Sequence, residues 1–275
     1  MTAALVCKAV SEGRIRLDDT IEAYLDLPQG KSYPSVRELL THTSGYKAYY
    51  FAAPMIANFF SGRNSFFGIS REMILAKCRS LDMNRDSYGF TYSNFGYAVL
   101  GLVLEAVYGQ DYTSLLHAFL QEDLGLTATK ISEGDGELGH YWDWQEDDAY
   151  LGAGAVTSDI EDMLLYAKMQ LEEVAPFALC HQSLKTIYAS SESYQTMGIH
   201  MDEIGMAWII DRENGFIWHN GGTGHYNSYL GFCPETETAV VVLSNLSPSD
   251  RIPATLLGIK KLQDLNRKYP LSILR

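Results

Sequence analysis

The chain has 275 residues, of which 47% are hydrophobic, and this is ample for one large core or for two lobes that share an interface. The formal net charge of −13 repels phosphate backbones and anionic lipid, and no local basic patch offsets it, so we expect no nucleic-acid partner. The longest apolar runs fall short of the roughly 20 residues that a membrane-spanning helix needs, so we expect no membrane span.

Apolar residues at helical spacing predict that the chain opens inside a helix over residues 2–12, with Gly13 as its C-cap. A helix that starts at residue 1 has no capping residue for its first four N–H groups, so we expect a segment in front of Met1. Neither a basic region nor a small-residue cleavage site follows Met1, so no signal peptide is visible. The compartment stays undecided between the bacterial cytoplasm and an extracytoplasmic space.

Further helices are predicted along the first two thirds of the chain. Residues 36–40 form a short one, Ser70 is the expected N-cap of a helix that starts at residue 71, and residues 95–108 repeat apolar residues until Gly109 ends the pattern. The other predicted helices of this part cover residues 112–120 and 163–171, the latter with a start at 158–161. Residues 132–148 are acidic and broken by glycine, and they predict an exposed loop over a cleft.

In the last third of the chain the sequence pattern changes from helical spacing to short strand-like runs. The turn residues Asn214 and Gly215 predict a hairpin, and residues 251–265 predict a closing amphipathic helix. The predicted strands are short β-branched or aromatic runs at residues 206–211, 228–232 and 238–244. A helical middle followed by antiparallel strands and a final helix indicates an α+β architecture and not alternating βαβ units.

The cysteines are widely scattered and show neither a C-x-x-C pair nor a metal-ligand spacing. We expect buried free thiols, no metal and no cofactor, and their number in a chain of this length favours a reducing compartment. These cysteines are Cys7, Cys78, Cys180 and Cys233.

The first chemically suggestive segment is Tyr92-Ser93-Asn94, where a loop meets an apolar helix. A phenol held there can relay a proton if a nearby cation lowers its pKa, and an amide can bind a substrate amide. The alternative interpretation is an asparagine N-cap beside a packed tyrosine.

The second segment runs from His219 to Gly224, directly after an apolar strand-like run. Its glycines let a substrate approach the backbone, and an N–H at a strand edge can serve as an oxyanion donor. The alternative is a glycine-rich turn with a surface histidine.

The third segment, residues 39–45, reads as a helix followed by a polar turn that contains His42. A satisfied structural histidine is the favoured interpretation of His42 over a catalyst.

Together these segments resemble the serine β-lactamase and penicillin-binding superfamily, in the branch of class C β-lactamases, D-alanyl-D-alanine carboxypeptidases, D-aminopeptidases and related esterases. Residues 39–45 are similar to that branch's L-L-T-H-T-S-G, Tyr92-Ser93-Asn94 to its Y-x-N, and His219-Asn220-Gly221 to its K-T-G or H-x-G. Residues 152–163 resemble its G-A-G-G-L…S-x-x-D-M segment, and residues 205–208 its G-x-x-W strand. The order and spacing agree across nearly all of the chain.

The resemblance implies a two-step acyl transfer to a serine, with a D-amino-acid peptide, an ester or a β-lactam as the small-molecule or peptide substrate that carries the acyl carbonyl. It makes Tyr92 a proton carrier, Asn94 the orienting amide and Gly222 an oxyanion donor. His219 stands where many β-lactamases have lysine, and its mostly neutral imidazole favours peptidase or esterase activity over efficient β-lactam hydrolysis. The implied catalytic residues are Tyr92, Asn94 and His219, and the substrate-binding ones are Ser93, Gly221, Gly222 and Thr223.

The chain departs from the family at its front. The family's S-x-x-K falls on the helix whose continuation resembles residues 2–6, so the serine is expected about five residues before Met1. A literal S-x-x-K occurs at Ser44 to Lys47, but it sits in the polar turn, away from any helix start. We therefore expect this 275-residue chain to be inactive. A hydrolase represented by an incomplete sequence is favoured over a non-catalytic binding or regulatory domain.

We expect a single β-lactamase-like domain over residues 1–275, with a helical lobe at about 36–200 and a sheet with its C-terminal helix at about 201–270. Tyr92, Asn94, His219 and Gly222 are expected to line one cleft between them. Without the family's two N-terminal strands, residues 239–243 would form an open edge of the family's five-stranded sheet, and such an edge promotes pairing between molecules. We expect a homodimer through this edge or the N-terminal helix face, or a loss of stability.

Overall fold

The computed structural model of the protein describes residues 1–83, 87–134, 136, 138–247 and 253–268. The chain divides into two compact units, Met1–Thr157 and Ser158–Arg275. The single domain with lobes at about 36–200 and 201–270 stays a prediction.

The first unit is mostly helical. Its helices are α1 (Thr2–Ser11), α2 (Val36–Leu40), α3 (Pro54–Ser61), α4 (Arg71–Ser80), α5 (Asn94–Tyr108), α6 (Tyr112–Ala118) and α7 (Leu151–Gly154). A 3-10 turn lies at Ile21–Ala23, and a π-helical turn at Phe119–Asp123 continues α6. The strands β1 (Lys130–Ile131) and β2 (Val156–Thr157) pair antiparallel.

Helix α5 forms the core of this unit because it is apolar on nearly every face. Nine residues between Phe95 and Leu104 are buried, and α1, α2, α4, α6 and α7 all pack against it. The helix begins after the N-cap Ser93, whose side chain accepts a hydrogen bond from the Gly96 N–H. It ends at Gly109, which has a left-handed φ of 66°.

Helices α5 and α7 meet with their backbones in contact. A Cβ added at Gly152 would lie 2.9 Å from the carbonyl oxygen of Tyr97 and 3.5 Å from the Cα of Gly101. No side chain fits there unless the backbone moves, so two facing glycines set the distance between these helices.

The second unit contains an antiparallel sheet and three helices. The helices are α8 (Ile160–Leu171), α9 (Glu192–Thr196) and α10 (Ala254–Lys268), with a 3-10 turn at Phe177–Leu179. The strands are β3 (Lys185–Thr186), β4 (Glu203–Ile204), β5 (Ile209–Asp211), β6 (Phe216–Gly222), β7 (Asn227–Cys233) and β8 (Thr238–Ser244). They form one sheet in chain order, with every neighbouring pair antiparallel.

A buried asparagine ties this sheet to its last helix. The Asn227 amide donates to the Leu246 carbonyl at 2.7 Å, just beyond β8, and its oxygen accepts the Ala254 N–H at 2.6 Å, at the start of α10. The side chain thereby satisfies one of the N–H groups that every helix start leaves without an intrahelical partner. Helices α8 and α10 both pack on β7 and β8.

The expected α+β class with an antiparallel sheet is confirmed. The predicted strand at 206–211 begins only at Ile209, because residues 205–208 form a turn that the Gly205 N–H closes onto the Trp208 carbonyl at 2.8 Å. Ala207 has a φ of 69° in this turn, a conformation incompatible with a regular strand. In the described residues this sheet has six strands, and the two-residue strands β3 and β4 among them are too short to give a periodic signal in the sequence.

Three helices are not predicted from the sequence. Helices α7 and α9 have only four and five residues, which is too short for an apolar period. Helix α3 is longer, but its apolar Phe59 and Phe60 are 80% and 82% exposed and its one buried residue is Asn58, so its apolar residues do not mark the buried face. The closing helix predicted at 251–265 is found at Ala254–Lys268, and residues 251–252 lie outside the described residues.

All four cysteines are free and buried. Within the described ranges, no helix is long and apolar enough to cross a membrane. The described part of the acidic stretch 132–148 contains no helix or strand. At its end Asp148 is buried and accepts hydrogen bonds from the Gly68 and Gln145 N–H groups.

A buried histidine lies in the core of the second unit. The Nε2–H of His181 donates to the Gln170 side-chain oxygen at 2.9 Å, and its ring packs on the edges of Trp208 and Phe232. Burial lowers the pKa of His181 from 6.5 to about 4, because the charged imidazolium would lose its hydration there.

This pKa predicts a stability change with pH. Unfolded His181 takes up a proton as the pH falls below about 6.5, whereas folded His181 stays neutral until about pH 4, so stability is full above 6.5 and is lost toward 4. The loss is about 2 to 3 kcal/mol by linkage. Urea melts at pH 7.5 and 4.5 measure it. We expect His181→Gln to reduce by that amount the difference in the free energy of unfolding between pH 7.5 and 4.5. His117→Gln, on the exposed face of α6, should leave this difference unchanged. Equal pH dependence in all three proteins would contradict the assignment.

Candidate functional site

The first turn of α5 is held in place by Ser93. Its hydroxyl donates to the Lys47 carbonyl at 2.7 Å and accepts from the Gly96 N–H at 2.9 Å. The residue is buried, so both bonds are shielded from water. The serine predicted to bind substrate is therefore occupied by the protein's own backbone, and it positions the residues on either side of it.

Those neighbours, Tyr92 and Asn94, present free polar groups. Tyr92 is 46% exposed, and Asn94 is half-buried. Among the described residues, none hydrogen-bonds to the side chain of either. An amide that is fixed by a helix start and has unused donors and an acceptor can bind a substrate amide without first breaking a bond within the protein.

His42 supports the start of α5, the corner formed by Tyr92, Ser93 and Asn94. Its Nδ1 accepts the Ser93 N–H at 3.0 Å, and its carbonyl accepts the Thr91 N–H at 2.8 Å. The accepting Nδ1 carries no proton, so the neutral ring has its proton on Nε2. The His42 ring centroid lies 4.4 Å from that of Tyr92, and the buried residue has a φ of 54°. His42 therefore has the structural role favoured by the sequence pattern, and it fixes the backbone and the ring of Tyr92.

The sequence interpretation missed Tyr97. Its hydroxyl donates to the Leu40 carbonyl at 3.2 Å, and its ring centroid lies 5.0 Å from that of His42. The available signal is its place in the first turn of α5, four residues after the N-cap Ser93. Tyr97 thereby ties α5 to the end of α2.

The Tyr92 phenol is protonated at neutral pH. Packing against its neighbours removes part of the hydration of the Tyr92 phenol, and this raises the pKa of Tyr92 above its ordinary value. A proton-relay role requires a cation close enough to lower this pKa. No described cationic side chain makes an ion pair, hydrogen bond or cation–π contact with Tyr92.

The literal S-x-x-K at Ser44 to Lys47 has the geometry of a turn. Ser44 is buried, and its hydroxyl accepts the Tyr46 N–H at 3.2 Å. Helix α2 ends at Leu40, so Ser44 does not stand at a helix start. This serine is structural, as the sequence context predicts.

In the second unit, strand β6 carries His219, Asn220, Gly221 and Gly222. Strand alternation places His219 and Gly221 on one face of the sheet and Asn220 on the other. The Asn220 amide donates to the Thr255 hydroxyl of α10 at 2.9 Å, so its face is the one covered by α10. His219 and Gly221 consequently lie on the face away from α10.

At the end of β6 the chain packs closely against β7 and the loop between the two strands. Gly221 pairs with Ser228, and a Cβ added at Gly221 would lie 2.9 Å from the Ser228 hydroxyl oxygen. Thr223 closes the four-residue β6–β7 loop, because its N–H donates to the Tyr226 carbonyl at 2.8 Å and its hydroxyl accepts the Tyr226 N–H at 3.1 Å. Like Ser93, Thr223 is engaged within the protein.

Burial lowers the pKa of His219 to about 4, so its imidazole is neutral at pH 7. A neutral imidazole can donate or accept one hydrogen bond per nitrogen but supplies no charge to a carboxylate.

The predicted site residues thus occur in two groups. Tyr92, Ser93 and Asn94 lie together with His42 in the first unit. The residues His219, Gly221, Gly222 and Thr223 follow one another along β6 and its loop in the second unit. The described residues contain no cluster of three or more histidine, cysteine, aspartate or glutamate side chains that could hold a metal ion.

The comparison with known proteins gives one family and one fold. The sequence model of the family described as Beta-lactamase matches residues 1–261. Protein flp of Staphylococcus aureus (strain MRSA252) is 21% identical over 277 residues, which cover 92% of this chain and 52% of that protein. The chain therefore spans about half the length of this curated relative.

Several solved structures share the fold, and two of them serve as examples. An octameric penicillin-binding protein homologue from Pyrococcus abyssi superposes with a TM-score of 0.74 at 23% identity, covering 98% of this chain and 64% of that one. A β-lactamase/D-alanine carboxypeptidase from Yersinia pestis, in complex with citrate, superposes with a TM-score of 0.73 at 19% identity, covering 95% of this chain and 80% of that one.

The role of His42 predicts the effect of its replacement. His42→Phe keeps a ring against Tyr92 but leaves the buried Ser93 N–H without its acceptor, and we expect a loss of about 1 to 3 kcal/mol in the free energy of unfolding. Urea denaturation measures this loss. The control is His117→Phe on the exposed face of α6. If His42→Phe is as stable as this control, the hydrogen bond does not hold the corner.

Proposed function

We propose a function for this chain from its membership of the β-lactamase family, whose sequence model matches residues 1–261. The chain carries the substrate-binding and proton-transfer residues of a serine hydrolase that acts on acyl carbonyl compounds. The substrates are D-amino-acid peptides, esters or β-lactams. The observation that carries the proposal is the Tyr92 and Asn94 pair, fixed by buried hydrogen bonds and yet free at its polar ends.

Each residue has a distinct proposed role. The Asn94 amide binds and orients the substrate amide. Tyr92 carries the proton between nucleophile and leaving group when a cation that the described residues do not supply lowers its pKa. The Gly222 N–H donates to the developing oxyanion. His219 and Gly221 contact the substrate on the side of strand β6. Thr223 contacts it through its O–H, since the bond from the Tyr226 N–H uses only the hydroxyl oxygen. The engaged hydroxyl of Ser93 supports a positioning role for this residue in place of direct contact.

The neutral His219 supports peptidase or esterase activity over efficient β-lactam hydrolysis. Since its pKa is about 4, a substrate carboxylate meets no imidazolium above that pH. The name of the Yersinia pestis neighbour includes both β-lactamase and D-alanine carboxypeptidase, which supports a D-amino-acid peptide as the first compound to test.

The chain by itself is proposed to be inactive in turnover. Its literal S-x-x-K is a buried turn, and the described residues contain no other serine at the start of a helix with a lysine three residues later. The alternative is a non-catalytic binding or regulatory domain of the same fold. The coding sequence upstream of Met1 separates the two, because an in-frame S-x-x-K there favours the hydrolase.

The proposal predicts binding without turnover. We expect D-alanyl-D-alanine to bind reversibly. Asn94→Ala should weaken its affinity about tenfold, as loss of one good hydrogen bond does. The affinity should stay constant from pH 5.5 to 8, because His219 remains neutral over this range. Calorimetric titration measures these affinities. The controls are Asn245→Ala, an exposed asparagine beyond β8, and L-alanyl-L-alanine.

The same sample is incubated with a fluorophosphonate and with a fluorescent penicillin. We expect no stoichiometric mass shift. A covalent adduct on Ser44 or another serine would refute the inactivity, and failure of any D-dipeptide to bind would count against the substrate class.

We also propose that the chain forms a homodimer through β8. This strand hydrogen-bonds to β7 on one side, and no described strand pairs with its other side. Its residues between Thr238 and Ser244 are apolar and uncharged, the type of edge that pairs with another molecule. The octameric state stated for the Pyrococcus abyssi homologue supports self-association in this fold.

Light scattering on Leu243→Lys tests this edge. Leu243 is 41% exposed on β8, so a lysine is tolerated in the monomer but repels its copy across the edge, and we expect the dimer to dissociate. Leu257→Lys on α10 has the same 41% exposure and serves as the matched control. A monomeric parent protein, or a dimer that both variants retain, would exclude the edge as the interface.

A further inference from the structure

A groove of about 340 Å³ lies in the first unit between α4 and the segment that precedes α3. Its floor is apolar and buried, formed by Ile69, Ile74, Phe95 and Tyr150. This volume is at the lower end of the range for small-molecule sites, about 300 to 1,000 Å³. The groove therefore suits a single small apolar molecule.

One face of α4 forms the wall of the groove. Met73, Ala76, Lys77 and Ser80 all line it, at the helical spacing i, i+3, i+4 and i+7. The opposite wall includes Tyr50, whose ring packs edge-on against Phe95 with centroids 4.8 Å apart. The α4 wall is thus apolar except near the C-terminus of the helix, where Lys77 and Ser80 lie.

Lys77 supplies the charge at that end. Its ammonium nitrogen lies 4.8 Å from the centroid of the Tyr50 ring, which holds the cation over the groove. Among the described residues, Lys77 makes no ion pair and no acidic side chain lines the groove. Arg79, two residues further, is in contrast engaged with Glu72. The groove offers an unpaired cation next to an apolar floor.

We propose that this groove binds an apolar monocarboxylate of about the size of decanoate, with the chain on the floor and the carboxylate at Lys77. The cation selects an anion over a neutral or cationic amphiphile of equal length. The net charge of −13 opposes anion binding only weakly, since charges more than about 8 Å away are screened at physiological salt. The proposal is independent of the hydrolytic function, and its test uses no turnover.

The test follows the Met73 methyl group by NMR in protein labelled at methionine methyl carbons, with decanoate as the titrant. We expect a saturable shift of the Met73 signal, assigned through Met73→Leu, with one molecule bound. Lys77→Gln should weaken binding about fivefold, as loss of a partly exposed ion pair does. Ala76→Trp should abolish binding, because Ala76 is exposed on the rim and a large ring there fills the groove.

Matched controls separate the groove from general effects. Ala106→Trp on the exposed face of α5 and Lys168→Gln on α8 should leave the affinity unchanged, and decanol and decylamine should bind more weakly than decanoate. Equal affinity for decanol and decanoate, or an unchanged affinity in Lys77→Gln, would overturn the role of the cation. Binding that survives Ala76→Trp, or no shift of Met73, would overturn the site itself.

Discussion

The burial of α5 on nearly all sides is the constraint on which the candidate site depends. Because five other helices pack against it, α5 cannot rotate or slide without disrupting the core of the first unit. Its first turn is then fixed by the Ser93 cap and by the Ser93 N–H bond to His42. A rigid helix start allows Tyr92 and Asn94 to keep free polar groups at its end, since their positions depend on neighbours and not on their own hydrogen bonds.

The sequence predicts the elements whose signal is local. The period of α5, the Ser70 cap and the antiparallel strands at the end of the chain all follow from spacing and turn chemistry. The N-cap of α5 is Ser93 and not the asparagine that follows it. The motif pattern also identifies the family correctly. The sequence alone does not predict which tertiary hydrogen bonds form. Examples are the bond from the Ser93 hydroxyl to the Lys47 carbonyl and the bond from the Tyr97 hydroxyl to the end of α2. Residues far apart in the chain make these bonds, and no local pattern encodes them.

Two histidines and one phenol share the same electrostatic behaviour in this protein. Loss of hydration shifts the pKa of His181, His219 and Tyr92 in the direction that keeps each neutral, downward for the imidazoles and upward for the phenol. At neutral pH these groups therefore contribute hydrogen bonds and shape but no charge. Lys77, in contrast, carries a charge beside the aromatic ring of Tyr50.

The contact between Gly101 and Gly152 limits which sequences this fold can accept. A single methyl group at Gly152 meets the backbone oxygen of Tyr97, in the turn that also carries the candidate site, and no change of rotamer relieves such a clash. Substitutions elsewhere in the G-A-G-A segment act on packing one side chain at a time. A mutation at Gly152, in contrast, would displace α5 and change the site without replacing any of its residues, so within residues 152–155 mutational tolerance should be lowest at Gly152.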